Sequence, residues 1–291
     1  MKLVIAATPD VALASIERLK SEHQVTIVTQ PDRPAGRGKQ LKASPIAKLF
    51  PDALKPNNET ELAQIITGSD LLITIGYGRI LKAETLSIPT FGGINLHFSL
   101  LPKWRGAAPV QRAIEAGDKA SGVTVFQMDS GMDTGPIWEQ IEYQIPYGAN
   151  SVELFKALSI IGVDALVSAI EKIQSGSKPT PQSGAVSIAA KISKQEGRIN
   201  WHLDAESIGR KIRAFASNPG VFTTIRGEQI KINEAHITVG DYQPGELTNE
   251  GVVGTSAGAV QLVLVTPAGK RTMQASDWLN GFKLKPGERF E

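Results

Sequence analysis

The 291-residue sequence predicts an α/β chain: an N-terminal open, mostly parallel, Rossmann-like sheet with helices on both faces, then a small C-terminal, OB-like β-barrel. Three observations carry this expectation. Strand, helix and strand follow one another within residues 2–29, a βαβ unit whose strands run parallel with a right-handed crossover. Two later strands, over 70–75 and 92–99, carry glycines at one end that permit tight turns. After Gly176 the pattern changes to many short strands at close spacing, as in a small barrel.

In chain order, Lys2–Ala7 is an apolar strand, and a helix follows to about Lys20 with Thr8 as its N-cap and Pro9 in its first turn. The turn Ala6-Ala7-Thr8-Pro9 has no glycine, so the close backbone approach to a pyrophosphate in a Gly-x-Gly-x-x-Gly site is absent. Gln24–Thr29 is the second strand. Pro31–Pro45 reads as a long loop without secondary structure, in which Arg33, Arg37, Lys39 and Lys42 face one acid, Asp32, for a local charge of 4 − 1 = +3. Such a loop is either a solvated insertion or a phosphate-contacting element. Short helices at 44–50 and 59–67, a central strand at 70–75, a helix at 107–116 and strands at 122–128 and 137–145 continue the sheet. A long amphipathic helix over 152–174, capped at Asn150 or Ser151, follows. A helix at 205–216 then leads into short strands near 221–225, 229–235, 245–247, 251–255 and 260–265. The expected organisation is a catalytic domain over 1–183, a linker over 184–203 and the barrel over 204–291.

Composition narrows the chemistry. There is no cysteine, which removes disulfides, thiolate nucleophiles and zinc–cysteine sites. The four histidines, His23, His97, His202 and His236, have no metal-ligand spacing, so no protein-bound metal is expected. No apolar run approaches the roughly 20 residues of a membrane span, and no leader precedes the first strand, so a cytoplasmic protein without a membrane partner is expected. Residues 204–291 hold ten basic and ten acidic side chains, so any nucleic-acid face there depends on charge segregation.

The stretch Gly92–Arg112 carries the most chemistry. Ile94, Leu96, Phe98 and Leu100 share one strand face, and Gly93, Asn95, His97 and Ser99 the other. Asn95 and His97 are therefore either hydrogen-bonded core residues or the lining of a cleft at a strand end. Asp133, in a Gly-flanked loop, is either a turn aspartate or a charge partner for His97. Taken together, an amide donor, an imidazole and a carboxylate without an activated nucleophile suit direct attack by a substrate amine on a bound acyl donor.

The motif Asn95-Leu-His97-Phe-Ser99-Leu-Leu-Pro102, followed by Met132-Asp133-Thr-Gly135, resembles the folate-dependent formyltransferase superfamily. Lys103–Arg112, Gln30–Gly38, Gly76–Leu81, Glu196–Trp201, Ile212–Phe215 and Pro267–Met273 extend the resemblance over nearly the whole chain, toward the branch that acts on methionyl-tRNA. The resemblance implies 10-formyltetrahydrofolate as co-substrate, tetrahydrofolate as product and initiator methionyl-tRNA as acceptor, with the chain acting as a monomer. It further implies that Asn95 and His97 stabilise the tetrahedral oxyanion, and that Asp133 holds His97 as a cation and takes part in proton removal. Ser99, Leu100, Leu101 and Pro102 would line the folate site. Arg33, Arg37, Lys39 and Lys42 would reach the acceptor stem, and the second domain would hold the tRNA on its other side. Ala7, Val11, Asn200 and the stretch Ala216–Gly220 depart from the family pattern, away from the implied chemistry.

Overall fold

A computed structural model describes residues 1–35, 40–285 and 287–291. The chain divides into two compact units. One comprises Met1–Pro109, Ala120–Gln144 and Phe155–Ala189; the other comprises Val110–Lys119, Ile145–Leu154 and Ala190–Glu291.

The elements run β1 (Lys2–Ala7), a 3₁₀ turn (Asp10–Ala12), α1 (Leu13–Lys20), β2 (Gln24–Val28), β3 (Arg33–Ala35), β4 (Gln40–Lys42), α2 (Pro45–Leu49), α3 (Glu59–Ile66), β5 (Leu71–Ile75), α4 (Ala83–Leu86), β6 (Gly93–His97), β7 (Arg105–Gly106), α5 (Pro109–Ala116), β8 (Ala120–Gln127), β9 (Ile137–Gln144) and α6 (Ser151–Gln174). Then follow β10 (Ile188–Ala189), α7 (Ala205–Ala214), β11 (Val221–Ile225), β12 (Glu228–Thr238), β13 (Val252–Gly254), β14 (Ala259–Pro267), β15 (Met273–Gln274) and α8 (Ala275–Phe282). Among the described residues no helix is long and apolar enough to cross a membrane.

The first unit is built on a six-stranded sheet of order β2-β1-β5-β6-β8-β9. β2, β1, β5 and β6 are parallel, while β8 and β9 add antiparallel pairings. Every residue of β5 is buried, as expected of a central parallel strand covered on both faces. From β1 the chain first pairs outward with β2, then returns to its other side with β5. The carboxyl ends of β1 and β5 therefore flank a topological switch point, where open sheets form ligand crevices.

Two local expectations change, and one open alternative, the cap of the long helix, is resolved. Thr8 does not cap the first helix: its hydroxyl donates to the Tyr77 carbonyl 3.2 Å away, and the chain enters the helix through the 3₁₀ turn instead. The basic loop contains a short hairpin, with Arg33 opposite Lys42 and Pro34 opposite Leu41; Arg37 and Lys39 lie outside the described residues. The long helix is capped by Asn150, whose side chain accepts from the N–H groups of Val152 and Glu153 while Glu153 reaches back to the Asn150 N–H.

The second unit holds the antiparallel sheet β11-β12-β14-β13, with β15 added to β14. Register shifts around Glu234 bend β12 and curl the sheet. The segment 245–247, expected as a strand, makes only isolated bridges, Glu246 to Arg289 and Leu247 to Val253. This unit contains an aromatic stack. Phe290 lies between Trp201 and Trp278, with centroids 5.4 and 6.2 Å away and planes within 11° and 9° of its own. Arg112 and Glu196, both in stretches that carry the family resemblance, are bonded to each other at 2.7 Å, and Arg112 also binds Glu115 at 2.7 Å. Both residues have a structural use in this chain.

Candidate active site

β6 delivers the first two candidate residues at the carboxyl end of the parallel sheet. Asn95 is half-buried and His97 is 6% exposed. Asn95 Oδ1 accepts from the Thr74 hydroxyl on neighbouring β5 at 2.9 Å. This fixes the amide's orientation and leaves its NH₂ as the free donor; among the described residues no protein group accepts from it. Thr74→Val removes that constraint, and kcat is expected to fall about tenfold, less than the roughly 10²–10³ of a complete oxyanion-donor loss. Steady-state kinetics of the variant check this, and an unchanged kcat would show that Asn95 needs no such support.

The His97 ring is held from two sides. Nε2 lies 2.8 Å from the Trp104 carbonyl, so this nitrogen carries the proton and donates it. Nδ1 faces Asp133 Oδ2 at 3.6 Å, beyond direct hydrogen-bond reach. The same Oδ2 accepts from the Gly106 backbone N–H at 2.7 Å. Gly106 has φ 119°, and a Cβ there would lie 2.8 Å from the Ala189 carbonyl oxygen, so a side chain would disturb the donor that orients Asp133. Asp133 itself sits at φ 54°, a left-handed conformation in which Asp is less costly than most residues.

Burial pushes the His97 imidazole below its ordinary value, with the Asp133 carboxylate and the Trp104 carbonyl pulling the other way. A cationic His97, implied by the resemblance, is thus not the form favoured here; removing the ring from water outweighs the carboxylate. Neutral His97 presents an unprotonated Nδ1 toward Asp133, and together the two groups can take up one proton. The linkage has a definite sign. Between the lowered folded value and the ordinary 6.5, the unfolded chain binds more protons at this site, so stability falls as pH drops through that window. Denaturant titrations at about pH 7.5 and about pH 5.5 should show a smaller acid-induced loss for His97→Asn than for the parent chain. Equal losses would contradict a buried neutral imidazole.

Ser99, Leu101 and Pro102 are buried and Leu100 is half-buried. The Ser99 hydroxyl donates to the Lys103 carbonyl at 2.6 Å, and its own carbonyl accepts from Thr124 at 2.6 Å. Ser99 therefore shapes this turn with groups already engaged, and Leu100 is the member of the four that reaches a surface. Arg33 and Lys42 line a cleft of about 200 Å³ with Thr8, Gln30, Ser44 and Tyr77, at the switch point between β1 and β5. Arg33 is braced there through Gln30, whose amide in turn donates to the Tyr77 carbonyl.

Sequence reasoning missed Thr74, the Gly106 N–H and the segment 180–189. In that segment Ser187 accepts from the Trp104 N–H at 2.8 Å, and Gln182 donates to the carbonyls of Asp133 and Gly135. Neutral side chains and backbone groups in a loop give no signal of spacing or charge.

The formyl transferase family model matches residues 1–170, and the C-terminal domain model of formyl transferases matches 191–283. A methionyl-tRNA formyltransferase of Streptomyces griseus is 37% identical over 307 aligned positions, covering 99% of each chain. The chain belongs to the methionyl-tRNA formyltransferase family. A second methionyl-tRNA formyltransferase, of Thermodesulfovibrio yellowstonii, is 36% identical over 98% of this chain and 97% of its own. Among solved structures, a methionyl-tRNA formyltransferase from Clostridium thermocellum superposes with a TM-score of 0.60 at 19% identity, over 81% of this chain and 93% of that one. At that identity the superposition supports the fold.

Proposed function

We propose that this chain transfers the formyl group of 10-formyltetrahydrofolate to the α-amino group of methionine on initiator methionyl-tRNA, with Asn95, His97 and Asp133 as the reacting centre. The observation that carries the reading is the convergence of the free Asn95 amide, the buried His97 ring and Asp133 at one strand end. The donor supplies the formyl carbon. The amine attacks that carbon, a C–N bond forms, and the bond from the formyl carbon to folate N10 breaks. The amine gives up a proton and N10 gains one. The His97–Asp133 pair holds the proton between these events, and the Asn95 NH₂ donates to the oxyanion of the tetrahedral intermediate. Residues 1–183 form the catalytic portion, 184–203 the connection and 204–291 the portion that holds tRNA. Leu100 and its neighbours Ser99, Leu101 and Pro102 shape the folate side. The chain acts as a monomer in the cytoplasm.

Incubation with 10-formyltetrahydrofolate and methionyl-tRNA should yield formylmethionyl-tRNA and an equal amount of tetrahydrofolate. No product while tRNA binds, or formylation of an amino-sugar nucleotide in its place, would overturn the assignment. Arg33 and Lys42 mark the approach of the tRNA backbone. Lys42→Glu is expected to raise KM for methionyl-tRNA and to flatten its logarithmic salt dependence by about 0.7–0.9 per lost phosphate contact, with KM for the folate unchanged. Unaltered tRNA kinetics would return the hairpin to a solvated insertion.

A further inference from the structure

We propose that Gln182 is a positioning residue of this active site, fastening the Asp133 backbone and the Arg105 guanidinium in one geometry. The inference rests on the assignment of Asp133 to the reacting centre. Both ends of the Gln182 amide are used. Nε2 donates to the carbonyls of Asp133 and Gly135, at 2.9 and 2.8 Å. Oε1 accepts from Arg105 Nε and Nη2, at 3.2 and 2.7 Å. A flipped amide would set donors against the guanidinium and an acceptor against two carbonyls, so the network admits one orientation. No carboxylate or amine of the same length could serve both sides.

The two groups so tied are the two sides of one catalytic contact. Arg105 directly precedes Gly106, whose N–H donates to Asp133 Oδ2, and the Asp133 backbone sets where that carboxylate stands. Asp133 stands at φ 54°, and Gln182 donates to its carbonyl there. Around Gln182 the segment is otherwise turned to solvent: Pro181 and Ser183–Val186 are exposed. Its docking does not depend on Gln182. Ser187 bonds the Trp104 N–H at 2.8 Å, the Arg105 N–H donates to the Ser187 carbonyl at 2.9 Å, and β10 pairs in parallel with β7. Substitution at 182 therefore releases Asp133 and Arg105 while leaving the segment in place.

The test uses the full chain with Gln182→Met, Gln182→Glu and, as comparator, Asp133→Asn. Gln182→Met is expected to lower kcat about 10- to 100-fold, with KM for both substrates within about threefold, because a small misplacement of a reacting group acts on the transition state. Gln182→Glu keeps an acceptor for Arg105 but loses both donors, and kcat should not recover. A second readout follows the His97 Cε1–H resonance, identified by its loss in His97→Asn. In Gln182→Met its titration should move further down, as in Asp133→Asn, because the carboxylate that raises it has withdrawn. Parental kcat in Gln182→Met, or a lowered kcat with an unmoved His97 titration, overturns the inference while an inactive Asp133→Asn leaves the site assignment standing. An active Asp133→Asn overturns the site assignment itself.

Discussion

Replacing Asp133 with Asn is expected to lower kcat about 10²- to 10⁴-fold, the range of a lost general acid–base group. KM for methionyl-tRNA and for the folate should change little. The substitution keeps size and shape, so the loop conformation and the Gln182 bonds to the main chain persist. What disappears is the charge. The Asn oxygen can still accept from the Gly106 N–H, but the pair with His97 can no longer hold the amine's proton on a carboxylate. A fall in kcat/KM carried by kcat is the signature of an interaction made in the transition state. A rise in KM at unchanged kcat would instead make Asp133 a binding residue.

Phe290→Ala should destabilise the second unit by about 3–5 kcal/mol, the usual cost of emptying a buried aromatic site. Phe290 is 3% exposed and stacked between Trp201 and Trp278. Its N–H donates to the Gly245 carbonyl at 2.8 Å, and the next residue pairs with Thr224, so the ring is fixed by backbone on both sides. The indole of Trp201 donates to Thr223 at 3.0 Å and cannot swing into the vacated space without breaking a buried bond. Denaturant unfolding followed by tryptophan fluorescence reads the loss. A midpoint equal to the parent's would mean that the sheet, not the aromatic stack, carries the stability of this unit.

Much of this chain was legible before its structure. The strand over 93–97 and its polar face followed from simple alternation, and the parallel order near the N-terminus followed from the βαβ pattern. Asp133 was harder: its loop composition suits a self-capping turn as well as a charge partner for His97, and the family resemblance favoured the second reading. The antiparallel course of β8 and β9 could not be read, because one strand's residues do not encode its direction relative to a neighbour. α8 was missed for a similar reason. Eight residues with a glycine near the end have little helical propensity, and the helix is held by burial of Trp278 and Leu279. The charge state of His97 also lay outside the sequence, since burial decides it and burial belongs to the fold.

Direct transfer through the Asn95–His97–Asp133 site is tested most directly by a single-turnover experiment. Enzyme in excess over 10-formyltetrahydrofolate labelled in the formyl group is mixed with methionyl-tRNA, quenched at intervals, and separated into folate, tRNA and protein. Label should pass from folate to tRNA with one rate constant and never reside on protein, and His97→Ala should slow that step about 10²- to 10⁴-fold. Label on protein at early times, or a parental rate in His97→Ala, would contradict the account.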